Sequence, residues 1–100
     1  MKHFALLYDV VSNFVERRMP FREAHLQRVR DANASGILLL AGALGDPPDG
    51  APLVFRADSP AVVEDFARAD PYVIEGLVTG WRVRPWTVVI GVDAAAPKAL

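Results

Sequence analysis

His25 is the residue of this 100-residue chain best suited to proton transfer near neutral pH, because imidazole has the side-chain pKa closest to neutrality. It lies in Arg22-Glu23-Ala24-His25-Leu26. On a helix, Arg22 falls one turn before it, and Val29 and Ala32 fall one and two turns after it. His25 therefore shares a stripe with apolar residues and does not point simply to solvent. Two readings fit: a core-edge histidine satisfied by a backbone carbonyl, or a general acid–base. Asp70 precedes Pro71, and a helix N-cap accounts for it fully. A carboxylate has two oxygens, however, so one can cap a helix while the other orients an imidazole. Arg22 has the planar fork that grips an anionic substrate group, whereas Arg28 reads as an ordinary solvated arginine. Arg17 and Arg18 form a short basic patch with Arg22, partly offset by Glu16 and Glu23, and this reads as a ligand-steering rim. His3, on the strand face opposite Phe4, Leu6 and Tyr8, is given no role.

Several chemistries are excluded. The chain has no cysteine, so disulfides, thiolate nucleophiles and zinc–thiolate sites are absent. Positions three and four after His25 are Arg28 and Val29, which is no metal-ligand spacing, and no metal is expected. Ser12, Ser35 and Ser59 lack a nucleophile-elbow context. Gly42-Ala43-Leu44-Gly45 lacks the Lys-Ser/Thr and following helix of a phosphate loop. Eleven Lys and Arg against twelve Asp and Glu leave a net charge of -1, which disfavours nucleic acid as a partner. At 52% hydrophobic and 23% charged residues the chain is globular. No run reaches the roughly 18 apolar residues of a membrane helix. No secretory pattern opens the chain, so a cytoplasmic location is expected.

The elements that must position His25 and Asp70 follow from periodicity. Lys2–Val10 alternates as a strand, with Phe4, Leu6 and Tyr8 on one face. Ser12–Arg18 is a polar, Arg-rich connection. Pro20 suits a first helical turn, and the helix is predicted from about Pro20 to Ala34, ended by Gly36. Ile37–Leu44 is apolar enough for a strand covered on both faces. Gly45–Gly50 is a loop, and Ala51–Ala57 is a strand pairing antiparallel with the one before it. Ser59-Pro60 starts a second helix with Val62, Val63, Phe66 and Ala67 on its apolar stripe. Asp70-Pro71 starts a short helical piece to about Glu75, and Gly76 and Gly80 loosen the segment leading into the last strand. Trp81–Ile90 is that strand, and Pro85 within it requires an edge, a bulge or a break in pairing. The domain spans 1–92, and 93–100 is a loose tail.

This order, β-α-β-β-α-β, predicts an α+β ferredoxin-like fold: a four-stranded antiparallel sheet with two helices on one face. The strands are too apolar to leave the other face wet, so a homodimer through the sheet is expected.

The residues also carry a family resemblance. Arg22–Leu26 has an R-x-x-H-L shape. Leu38–Leu44, with Gly36 before it, is similar to G-x-L-L-x-A-G-P-L. Ala69-Asp70-Pro71-Tyr72 matches A-D-P-Y, and Val83-Arg84-Pro85-Trp86 resembles V-R-P-F. Together they resemble the YciI-like (YCII-related) family over Phe4 to about Trp86. Ala43, where the family more often has Pro, and the content of Asp9–Arg18 depart from it.

The resemblance implies a dimeric α+β barrel with a site at His25 and Asp70. One branch of the family dehydrochlorinates a chlorinated hydroxyhydroquinone, and muconolactone isomerases are similar in fold. What it implies here is a cofactor-independent lyase or isomerase acting on a small cyclic or aromatic substrate. His25 and Asp70 are the expected catalytic dyad, and Arg22, Tyr72 and Tyr8 the expected substrate-binding residues. The alternative is a non-catalytic dimeric module that binds a small molecule or serves as an accessory protein. No cofactor is expected in either case.

Overall fold

A computed structural model describes residues 2–91 and 94. The elements are β1 (Lys2–Val10), α1 (Phe14–Arg17), a single 3-10 turn (Met19–Phe21), α2 (Arg22–Ala34), β2 (Leu38–Ala41), β3 (Gly50–Ala57), α3 (Pro60–Ala69), α4 (Pro71–Ile74) and β4 (Val78–Trp86). The four strands form one antiparallel sheet in the order β2-β3-β1-β4. This is the α+β fold that the alternation of periods predicts.

The sheet sorts its side chains by the two-residue period. Phe4, Leu6 and Tyr8 of β1 and Leu53 and Phe55 of β3 are buried on one face, under Val63, Phe66 and Ala67 of α3. Trp81 and Val83 of β4 stand opposite Tyr8 and Leu6 and pack against the same core. From α2, Val29 and Ala32 reach it. Ala5, Leu7, Pro52 and Val54 fall on the other face, which has no helix layer among the described residues.

Two glycines stop helices by one mechanism. At the end of α2 the Gly36 N–H donates to the Asn33 carbonyl and the Ile37 N–H to the Ala32 carbonyl. At the end of α4 the Gly76 N–H donates to Val73 and the Leu77 N–H to Tyr72. Both are Schellman stops, which need a residue at positive φ; Gly36 sits at φ 85 and Gly76 at φ 78. Gly76 therefore fixes the turn into β4 where looseness was expected.

Other boundaries differ from the sequence reading for local reasons. The predicted first turn at Pro20 is a 3-10 turn, and α2 proper begins at Arg22. The connection Ser12–Arg18 contains α1, whose Phe14 is buried. Ser59 occupies the N-cap position of α3, but its side chain makes no capping hydrogen bond. In β2 only Leu38 is buried and Leu40 is 70% exposed, so the described residues do not cover both faces. The last strand begins at Val78 and ends at Trp86, not at Ile90. Pairing runs through Pro85, opposite Phe4, because β4 is an edge strand where a missing N–H costs no ladder bond. The one irregularity in that pair lies at Asp9/Val10. Of the tail predicted for 93–100, all but Ala94 lies outside the described residues. No helix among the described residues is long and apolar enough to cross a membrane.

Candidate active site

Asp70 joins α3 to α4 in extended conformation, φ -69 and ψ 126. That geometry ends α3 and starts α4 at Pro71, as the residue before a proline prefers. Its carboxylate is 0% exposed. A buried carboxylate needs donors, and three converge on it. The Tyr72 backbone N–H donates to Oδ1 at 3.0 Å, which is the cap. The Tyr8 hydroxyl donates to Oδ2 at 2.8 Å from the central strand β1. His25 Nδ1 lies 2.9 Å from Oδ1 and 3.0 Å from Oδ2. A carboxylate only accepts, so Nδ1 carries the hydrogen of this contact, and the tautomer it fixes is the one with the lone pair on Nε2. Capping and orienting an imidazole thus coexist on one side chain.

The His25 ring is 14% exposed and is clamped on its face as well as its edge. It stacks on the Tyr72 ring, with centroids 3.9 Å apart and planes at 13°. Phe14 meets Tyr72 edge-on at 5.3 Å. Residues 45 positions apart are brought together by docking α2 against α4. One fastener of that arrangement is Arg28, three residues past His25. Its Nη1 donates to the Phe66 carbonyl at 2.9 Å and its guanidinium lies 4.4 Å from the centroid of the Phe66 ring. Arg28 is therefore not the solvated arginine expected from sequence; it ties α2 to α3 one turn from the dyad.

These residues border a cavity of about 180 Å³. Its wall includes Tyr8, Phe14, His25 and Tyr72, with Leu26, Val29 and Leu53 supplying apolar surface and Arg18 and Arg22 the charge. Arg22 and Tyr72 thus both stand at the cavity. Tyr8 stands there too, but its hydroxyl is committed to Asp70. Burial, reinforced by the Asp70 carboxylate, holds that phenol far above the usual tyrosine range, so it stays protonated. Burial also raises the Tyr72 phenol, while the nearby Arg18 and Arg22 pull it down. Phe14 is an aromatic cavity residue that the sequence reading does not place in the site, and Arg18, read from sequence only as part of a basic rim, stands in the wall itself. The available signal is the apolar pair Phe14-Val15 inside a mostly polar connection. No group of three or more His, Cys, Asp or Glu among the described residues is placed to hold a metal ion.

The YCII-related domain pattern matches residues 1–87. The chain belongs to the YCII-related domain family. An uncharacterized protein of Haemophilus influenzae is 28% identical over 96 residues, spanning 87% of this chain and 98% of its own. Among solved structures, the 5-chloro-2-hydroxyhydroquinone dehydrochlorinase of Burkholderia phenoliruptrix AC1100, in complex with 2,5-dihydroxybenzoquinone, has the same fold. It superposes with a TM-score of 0.73 at 21% identity, over 93% of this chain and 99% of its own. This YCII-related protein shares its architecture with that enzyme.

Proposed function

We propose that the cavity is a cofactor-independent active site in which His25 moves a proton on a small cyclic or aromatic substrate. The observation that carries this reading is the contact of 2.9 Å between His25 Nδ1 and the fully buried Asp70 at the cavity wall. Asp70 fixes the tautomer and stabilises the imidazolium that forms, and Nε2 exchanges the proton. The shared fold of a dehydrochlorinase whose structure holds a dihydroxybenzoquinone supports the same class of chemistry. Cavity size agrees, since an apolar cavity of about 150 Å³ takes benzene and this one is about 180 Å³.

The reaction begins with Nε2 taking a proton from a ring carbon or hydroxyl beside a carbonyl or its enol. The electron pair left behind moves onto oxygen as an enolate. In a lyase the pair returns, expels an anionic leaving group such as chloride, and forms the new double bond. In an isomerase His25 returns the proton to a different ring carbon. Arg22 faces the anionic oxygen in either course.

The test is turnover against a panel of halogenated hydroquinones and unsaturated lactones. Wild type is expected to turn over at least one, and His25→Ala to lose turnover while keeping substrate binding. Unchanged turnover in His25→Ala would remove His25 from the chemistry. Binding with no turnover anywhere in the panel favours the non-catalytic module instead.

The same reading includes a homodimer through the sheet. Ala5, Leu7, Pro52 and Val54 occupy the face away from the helices, and Leu40, opposite Val54, is largely exposed. Sedimentation is expected to give a dimer that Leu7→Asp converts to monomer; a monomeric wild type at micromolar concentration refutes it.

A further inference from the structure

Arg18 stands out at the cavity because its charge is unmatched. Its guanidinium lies 5.3 Å from the centroid of the Phe14 ring, which holds it against the cavity wall. Its Nε is sealed from water and has no hydrogen-bond partner among the described residues. Neither Arg18 nor Arg22 forms a salt bridge with a described residue. The cavity lining contains no Asp or Glu, and Asp70 behind His25 already accepts from three donors. The Tyr72 hydroxyl on the same wall makes no hydrogen bond with a described residue, and burial keeps it protonated as a donor. A cation partly removed from water without a counter-charge is unfavourable, and the missing charge is what a ligand would bring.

We infer that Arg18, together with Arg22 and the Tyr72 hydroxyl, forms an anion subsite that selects a single planar ring bearing a carboxylate or enolate oxygen. This deepens the proposed function and shares its cavity. Guanidinium groups match such an oxygen pair in geometry as well as charge. The ring itself meets the aromatic and apolar wall made by Phe14, Leu26 and Leu53. The anionic oxygen is thereby set beside the imidazole, where an enolate formed by proton removal is held by the same donors. Arg18 acts as a binding residue, arriving from the connection after β1 and not from the helix that carries His25.

Benzoate and its neutral isostere benzamide separate charge from shape. Binding is read by NMR titration of backbone and His25 ring signals, without turnover. Wild type is expected to bind benzoate about tenfold to a hundredfold more tightly than benzamide, the range of one charge-assisted hydrogen-bond set. Arg18→Met should abolish most of that preference and leave benzamide affinity unchanged. Arg18→Lys should keep part of it. Arg22→Met gives a second reading from α2 should Arg18→Met fail to fold. Equal affinity for the two probes, no saturable benzoate binding, or a preference that survives both methionine variants overturns the subsite. A charge preference lost in Arg18→Met, in a protein that turns over nothing, upholds the subsite and refutes the proton-transfer reading. Turnover that depends on His25 but not on Arg18, with no probe preference, does the reverse.

Discussion

Replacing Asp70 by alanine should cost more than replacing it by asparagine, and the structure says why. Alanine leaves three donors unmet around a site that is 0% exposed. An unpaired buried hydroxyl at Tyr8 costs about 1–3 kcal/mol. Losing the cap on the Tyr72 N–H costs about 1 kcal/mol. His25 is 14% exposed and recovers part of its bond from water, so its share is about 1 kcal/mol. The total is about 3–5 kcal/mol, a large part of the roughly 5–15 kcal/mol that holds a small domain. Asparagine keeps the shape. Its carbonyl oxygen at Oδ1 still accepts from the Tyr72 N–H and His25 Nδ1, and its amide at Oδ2 donates to a Tyr8 hydroxyl that has rotated. What it loses is charge assistance and the acceptor of the rotated Tyr8 hydrogen, together about 2–3 kcal/mol. Urea unfolding measures both, with midpoints compared at unchanged slope. Ring nitrogen-15 shifts of His25 should report Nδ1–H in wild type and in Asp70→Asn. If Asp70→Ala unfolds within about 1 kcal/mol of wild type, the three bonds are not the connection's anchor, and the argument from buried donors fails.

Tyr8 gives a prediction with a fixed sign in pH. Its folded pKa is raised, so its stabilisation is complete below about pH 10, where the unfolded phenol also keeps its proton, and falls by about 1.4 kcal/mol per pH unit above that. Tyr8→Phe should remove that part of the alkaline loss in urea midpoints taken on either side of about pH 10; an equally steep loss in the variant refutes the assignment. Arg28→Met should cost about 1–2 kcal/mol by removing the tie to the Phe66 carbonyl and should broaden the His25 ring signals; sharp, unshifted signals argue that α2 docks without it. Gly36→Ala should cost about 1–2 kcal/mol from its φ of 85 alone, since the added Cβ meets only the Arg56 side chain at 3.8 Å, and thermal melting checks it. Leu6→Ala, at the fully buried centre of β1, should cost about 3–5 kcal/mol, whereas a loss under about 1 kcal/mol would place Leu6 outside the core.

Much of this protein is legible along the chain because local rules set it. A two-residue period carries β1, a three-to-four-residue period carries α3, and Gly36 and Asp70-Pro71 mark helix ends by backbone preferences that act over a few residues. Residue type singles out His25, and the family resemblance pairs it with Asp70, whose capping leaves one oxygen free to reach further. The rest depends on distance through space. Arg18 reads along the chain as one member of a basic rim and Phe14 as an aromatic in a mostly polar connection, and that segment by itself does not bring either to a cavity wall. Arg28 reads as solvated because its partner, the Phe66 carbonyl, is 38 residues away. Tyr8 is a ligand contact by resemblance; the strand period shows its face but not its hydroxyl's target, which is 62 residues on. Periodicity assigns a side chain to a face of its own element. Only the docking of α2 and α4 over the end of β1 decides which polar atom each buried donor finds, because hydrogen bonds reach about 3 Å and sequence spacing says nothing about so short a gap.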